Sequence, residues 1–125
     1  MAETVLLVIP RKPPPTYNRI KSMHWAKVRK LKQMWQDEVA VASIQQGKPK
    51  FKKARIQIVL YYSQARRRDS DNLMAGAGKF ILDGLRYAEI IPDDDQSTIE
   101  CPEPIVELDR KKPRVEIEIT SLDDE

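Results

Sequence analysis

An aspartate-rich string near the middle of the chain has the residue types of a divalent-cation site. Asp69 and Asp71 are separated by one residue and are followed by Asn72. Two carboxylates at i and i+2 at the end of a strand project to the same side. They can share a Mg²⁺ ion, which prefers hard oxygen ligands and commonly takes one or two carboxylates from a protein. Aspartate and asparagine ahead of a helix are also ordinary capping residues, so helix capping is an alternative interpretation.

A second acidic segment, Asp93-Asp94-Asp95, follows Pro92. If this loop folds back, one of its carboxylates can complete a site begun by the first pair. The segment therefore supplies a candidate third ligand.

Lys79 is predicted to share a helix face with the first acidic string. At about 100° per residue, Asn72, Gly76, Lys79 and Asp83 fall within roughly 40° of one line. Helical side chains lean toward the helix N-terminus, so Lys79 points back toward the carboxylates. Gly76 leaves room on this face for a backbone segment or a phosphate. An i,i+4 ion pair between Lys79 and Asp83 is the alternative.

Several other kinds of site are excluded by missing residues. The single histidine, His24, and single cysteine, Cys101, offer no internal disulfide, zinc site or Ser-His-Asp or Cys-His group. A phosphate-binding loop ending at Lys79 would need glycine in place of Leu73 and Ser or Thr in place of Phe80. An EF-hand loop would need an acid at that same phenylalanine. We expect His24 to be a cap or surface residue and Cys101 an ordinary strand residue.

Charge divides the chain into two halves. Residues 1–68 hold 16 Lys/Arg against 3 Asp/Glu, a net of +13, whereas residues 69–125 hold 6 against 16, a net of −10. A basic half favours a polyanionic partner, because each cation near a phosphate releases counterions. An acidic half beside it suggests cations held between carboxylates and phosphates. No apolar run approaches the roughly 18 residues that span a bilayer and no secretory signal is evident, so we expect a cytoplasmic protein with no membrane partner.

Five segments have the periodicity of regular secondary structure. Strands are predicted at 4–9, 54–63 and 114–120, which are rich in β-branched residues or alternate in polarity. Helices are predicted at about 22–46 and 73–87, the second capped by Asp71 or Asn72. The first helix has an apolar stripe expected to face the core: Trp25, Val28, Leu31, Trp35, Val39 and Ala42.

The element order predicts the fold class. Residues 99–108 carry two prolines and are predicted to form an edge strand, and Thr16-Tyr17-Asn18 has residues typical of turns and helix caps. The resulting β-α-β-α-β-β order predicts an α+β domain with a mixed sheet packed by two helices. We expect one domain over residues 1–125, with the last few residues disordered.

The motifs together resemble the RusA family of crossover junction endodeoxyribonucleases, which are common in bacterial prophages. The resemblance covers about residues 4–120 and is carried by Pro13-Pro14-Pro15-Thr16-Tyr17-Asn18, Arg67-Arg68-Asp69-Ser70-Asp71-Asn72-Leu73, Lys79-x-x-x-Asp83-Gly84-Leu85 and Ile91-Pro92-Asp93-Asp94-Asp95-Gln96. It implies a RusA-like fold and a bacterial or phage-encoded homodimer. The enzyme it implies depends on Mg²⁺, and Mn²⁺ can take the place of Mg²⁺. Such an enzyme resolves four-way (Holliday) DNA junctions by paired symmetric nicks, in DNA recombination and repair.

The resemblance also assigns residues. The family's metal-binding acids correspond to Asp69, Asp71 and Asp94, the last because the family acid lies two residues before the glutamine. The family's essential lysine corresponds to Lys79 when counted back from Asp83-Gly84-Leu85. Counted forward from Asp71 it falls on Ala75, and one inserted helical turn would reconcile the two.

The chemistry that fits these residues is metal-assisted phosphodiester hydrolysis. Mg²⁺ would lower the pKa of a bound water and neutralise charge on the phosphate, and Lys79 would stabilise that phosphate or hold a water. Two rivals remain: a branched-DNA-binding protein of this fold without catalysis, and a nuclease for flaps or single strands. The basic residues expected to carry the duplex arms are Lys27, Arg29, Lys30, Lys48, Lys50, Lys52, Lys53, Arg66, Arg67 and Arg68.

Overall fold

The structure, a computed structural model, describes residues 3–65, 70–92 and 99–122. The predicted DNA-binding arginines at 66–68, the ligands Asp69 and Asp94, and most of the predicted disordered C-terminus lie outside these ranges. Within them, the elements follow in this order: β1 (Thr4–Ile9), α1 (Tyr17–Ile20), α2 (Trp25–Gln45), β2 (Ala54–Tyr62), α3 (Ser70–Leu73), a π turn (Met74–Gly78), α4 (Lys79–Tyr87), β3 (Ile99–Glu100), β4 (Ile105–Leu108) and β5 (Arg114–Ser121).

The strands form one mixed sheet in the order β1-β5-β2, with β3 and β4 both on the far side of β2. β5 pairs antiparallel with β1 and with β2, whereas β3 and β4 run parallel to β2. Because β2 is flanked on both sides, its buried residues alternate with half-buried ones along most of its length. The predicted α+β class with a mixed sheet is therefore confirmed.

One hydrophobic core joins the sheet to the two long helical segments. Alternate residues of β1, β2 and β5 are buried, as a sheet with one covered face requires. The helices contribute a buried stripe that includes Trp35 and Val39 from α2 and Ile81 and Leu85 from α4. Gly84 lets the two helices approach closely, since a Cβ there would lie 2.8 Å from Val39 Cγ2.

Four sequence predictions need correction. Trp25 is 67% exposed, whereas Trp35, Val39 and Ala42, farther along the same stripe of α2, are buried. The predicted strand at 99–108 is two short strands, β3 and β4, with Pro102 and Pro104 between them; proline removes the N–H that a continuous ladder needs. The turn and cap residues at 16–18 begin a short helix that was not predicted, α1, with Thr16 at its N-cap position. The second long helix begins at Ser70, earlier than its predicted start.

Candidate functional site

The first acidic string enters a helix directly. Asp71 and Asn72 lie in the first turn of α3, which continues without a break through the π turn into α4. The prediction that Asp71 or Asn72 caps this helix is therefore wrong, because the helix begins at Ser70. Among the side chains that the structure describes, no three of His, Cys, Asp or Glu form a group able to hold a metal, and the side chains of Asp69, Asp71 and Asp93 to Asp95 fall outside this set.

Asn72 instead holds a second segment against the helix. Its Oδ1 accepts a hydrogen bond of 2.8 Å from the backbone N–H of Asn18 in α1. One turn further along, a Cβ on Gly76 would lie 2.4 Å from the Tyr17 backbone nitrogen and 2.6 Å from the Pro15 carbonyl oxygen. The space predicted beside Gly76 is thus filled by backbone, and the Pro-rich segment with α1 is seated on the helix that carries the acidic string.

The π turn at Met74–Gly78 lies between Asp71 and Lys79, the interval in which one inserted helical turn would reconcile the two alignments of the lysine. The Lys79 N–H donates to the carbonyl of Met74, five residues earlier, which is the hydrogen bond of a π-helix. Such single wide turns inside α-helices are rare and frequently occur at functional sites. The sequence of this turn, Met-Ala-Gly-Ala-Gly, contains two glycines, but this feature did not predict a π turn.

Lys79 does not form the ion pair with Asp83 that was the alternative for it. Asp83 is bound by Arg86, three residues later, and its Oδ2 lies 3.9 Å from Lys32 Nζ of α2. No carboxylate within the described ranges lies within ion-pair distance of the exposed Lys79. The lysine is therefore available to an anion that is not part of the described protein.

A cavity of about 260 Å³ opens beside this lysine, between α1, α2 and the π turn. Gly76, Lys79 and Asp83 line it together, which confirms that these three residues share the predicted helix face. Its other lining residues are Tyr17, Ile20, Val28, Lys32, Ala75 and Phe80. No pattern in the sequence indicated this cavity, because two of its walls come from elements distant in the chain.

Seven of the predicted DNA-binding residues lie within the described ranges, and they fall into two groups at opposite ends of α2. Lys27, Arg29 and Lys30 are exposed in its first turns, next to α1, whereas Lys48, Lys50, Lys52 and Lys53 are exposed in the loop that follows it. The 21 residues of α2 span about 32 Å. These seven residues therefore form two groups and not one.

The single histidine and cysteine have structural environments. His24 is the N-cap of α2, where its Nδ1 accepts a hydrogen bond of 3.1 Å from the Ala26 N–H, as predicted. Cys101 follows β3 and is not itself in a strand. Burial raises the pKa of its thiol to about 11, so the thiolate needed for nucleophilic attack is scarce at neutral pH.

A scan against protein-family models and a search of curated proteins each found no match to this chain. No helix in the described ranges is both long enough and apolar enough to cross a membrane.

Proposed function

We propose that this chain is a RusA-like, Mg²⁺-dependent endodeoxyribonuclease that acts as a homodimer and cuts four-way DNA junctions by paired nicks. The observation that carries the proposal is that the ammonium of Lys79 pairs with no carboxylate among the described residues. It lies about 10 Å along the helix from Asn72, on a helix that begins at the acidic string. A lysine in this position beside a concave surface is suited to bind a phosphate.

The surroundings support a nucleic-acid substrate. α1 and the first turns of α2 bring Arg19, Lys21 and Lys27 to one end of the helical layer. Trp25 is exposed there beside His24, with their ring centroids 5.5 Å apart. Cations that meet phosphates, together with an exposed aromatic ring that stacks on bases, are the combination used by nucleic-acid-binding surfaces.

In this proposal Asp69, Asp71 and Asp94 hold Mg²⁺, which when bound supplies charge neutralisation and an activated water. Lys79 donates hydrogen bonds to a non-bridging phosphate oxygen, where negative charge increases as water attacks phosphorus. Asn72 keeps α1 on the helix, so that the basic groups and the carboxylates face one strand of DNA. The water oxygen forms a bond to phosphorus as the bond from phosphorus to the leaving sugar oxygen breaks. One proton of the water is lost to solvent and the leaving oxygen takes a proton from solvent, so that the nick has one phosphate end and one hydroxyl end.

The described ends of the two acidic segments favour a site shared between subunits. Ser70 begins the helical segment that ends at Tyr87, 18 residues or about 27 Å later. The second acidic run is flanked by residues 90–92, which follow this far end, and by Ile99, which pairs with Ala54 at the start of β2. Ile90 is tied to the same region, because its carbonyl accepts from the Phe51 N–H. We therefore propose that Asp94 of one subunit completes the site begun by Asp69 and Asp71 of its partner.

Mixed dimers test both the activity and this sharing. We expect purified Asp71→Asn and Asp94→Asn variants each to be inactive on a four-way junction in Mg²⁺ and to bind it still. If the sites are shared, a mixed dimer carries both substitutions in one site and none in the other. Mixing the two variants under conditions of subunit exchange should then restore nicking on one strand, measured on end-labelled junctions.

The matched control is a mixture of Asp69→Asn with Asp71→Asn, which should stay inactive because both substitutions leave every mixed site damaged. Inactive mixtures in both cases would contradict the shared site and favour a loop that folds back within one chain. Wild-type protein that binds junctions and cuts none in Mg²⁺ or Mn²⁺ would instead support the non-catalytic rival. Cleavage of flaps or single strands in preference to junctions would support the other nuclease.

A further inference from the structure

The cavity beside Lys79 has a composition that differs between its wall and its rim. Ile20, Val28 and Phe80 give it apolar walls, and the ring of Tyr17, 48% exposed, stands at the edge. The volume of about 260 Å³ is below the roughly 300–1,000 Å³ of sites for drug-sized molecules. It therefore suits a single planar group and not a large ligand.

The charge around the cavity is unbalanced in favour of an anion. Lys32 and Lys79 both line it against one carboxylate among its described lining residues, Asp83, which is bound by Arg86 and lies 3.9 Å from Lys32 Nζ. Lys21 adds a cation at the rim, with its Nζ 6.0 Å from the centroid of the Tyr17 ring. A planar group that enters this cavity thus meets apolar walls, an aromatic ring and cations suited to an attached phosphate.

We propose that this cavity receives one unpaired nucleotide of the DNA strand, with its base stacked on Tyr17 and its phosphate beside Lys79 and Lys32. The inference rests on the proposed function in taking DNA as the substrate, and it adds a subsite that selects distorted or branched DNA. A base inside a continuous duplex is stacked between its neighbours and cannot enter. At a branch point a base can leave the stack at lower cost, so the cavity favours junctions over plain duplex.

The backbone at Tyr17 is fixed in the position that stacking on a base requires. Its backbone nitrogen lies against Gly76, and the following N–H, of Asn18, is bound by Asn72. The stacking ring is therefore fixed to the same helix as the acidic string and Lys79. A preorganised aromatic platform loses little entropy when a base binds to it.

The test is binding of four-way junctions, measured in EDTA at fixed low salt so that cleavage plays no part. We expect Tyr17→Ala to weaken binding of an intact junction roughly 5- to 150-fold, the change that corresponds to about 1–3 kcal/mol for loss of one base–aromatic stack. Tyr87→Ala is the matched control, because Tyr87 is an exposed tyrosine on α4 outside the cavity, and it should bind as the wild type does. Ala75→Phe, which adds a ring at the cavity wall, should weaken binding as Tyr17→Ala does.

A set of junctions, each with one abasic nucleotide at a different position around the branch point, identifies the captured base. At that position wild type and Tyr17→Ala should bind alike, because there is no base to stack. An equal loss on every abasic junction, or no loss on the intact one, would overturn the proposal. Wild-type protein that binds but does not cut in Mg²⁺ or Mn²⁺ would refute the nuclease and leave this binding test intact, whereas failure to bind any DNA would refute both.

Discussion

Replacing Lys79 distinguishes a catalytic role of this residue from a purely structural role in α4. Asp83, the carboxylate four residues after Lys79, pairs with Arg86 and Lys32. Removing Lys79 therefore breaks no described ion pair. Alanine is also the best helix former, and Lys79 begins α4. Any large effect of removing this side chain must therefore come from what it binds outside the described structure.

We predict that Lys79→Ala lowers the rate of junction cleavage by about 10²-fold or more, as loss of a preorganised electrostatic group does. The free energy of unfolding should change by less than about 0.5 kcal/mol, the size of one helix-surface pair. Single-turnover cleavage and urea unfolding measure the two quantities. Lys111→Ala is the control, since this exposed lysine lies between β4 and β5, outside the proposed DNA-binding set. Near-normal cleavage by Lys79→Ala would remove the lysine from the mechanism.

At the scale of elements, Gly76 and Gly78 lie in the same π turn but differ in what surrounds them. A Cβ on Gly76 would meet backbone atoms of residues 15–17, which cannot move without displacing α1, at 2.4 to 2.6 Å. A Cβ on Gly78 would meet the Sδ of Met74 at 2.6 Å, and methionine adapts readily. The two glycines therefore make a matched pair for testing how α1 is held.

We predict that Gly76→Ala destabilises the protein by about 1–3 kcal/mol, the usual cost of overpacking, in spite of the helix propensity that alanine adds. Gly78→Ala should be neutral or stabilising by up to about 1 kcal/mol, because it gains that propensity and displaces only a flexible side chain. Urea unfolding of both variants measures the difference. Equal stabilities would show that the segment at 15–17 yields freely, and that Gly76 does not fix Tyr17 in place.

Sequence periodicity was sufficient to predict the bounds of elements whose buried residues follow the apolar pattern of their own sequence. β1, β2 and β5 lie within a residue or two of their predicted bounds, because β-branched alternation and the sheet face coincide. It failed where a neighbour decides the structure: Trp25 continues the apolar stripe of α2, yet it stays exposed. For the site, helical periodicity correctly placed Gly76, Lys79 and Asp83 on one face. The segment that fills the space beside Gly76 was not predicted, because it leads into α1, and the turn residues at 16–18 did not indicate a helix there.

At the scale of the whole molecule, the described positive charge is divided along α2. Lys27, Arg29 and Lys30 lie at its start, and the lysine patch at 48–53 follows its end. The 21 residues of α2 are about 32 Å long, which is close to one helical turn of B-DNA, about 34–36 Å. A duplex arm lying along α2 can therefore present phosphates of the same face to both patches. An arm that meets only one patch would have to leave the protein surface at that end.

The salt dependence of junction binding distinguishes a duplex arm that lies along α2 from one that meets only one end of it. If about six to ten phosphates are bound in all, junction affinity should fall roughly 10³- to 10⁵-fold between 50 and 200 mM salt. Replacing the three basic residues at the start of α2 by alanine should reduce the slope of log K against log salt by about one unit for each phosphate that the variant no longer neutralises. Replacing the four lysines of the later patch should reduce it similarly only if the arm lies along the whole helix.

The control is the double variant Lys111→Ala and Lys112→Ala, which removes positive charge from the acidic half of the chain and should leave the slope unchanged. A reduced slope for both patch variants places the arm along α2, and a reduced slope for one places it at that end alone. An almost flat dependence for the wild-type protein would contradict the nucleic-acid interpretation of the basic half. Because the slope depends on the number of neutralised phosphates whether or not the strand is cut, this result is independent of the nuclease proposal.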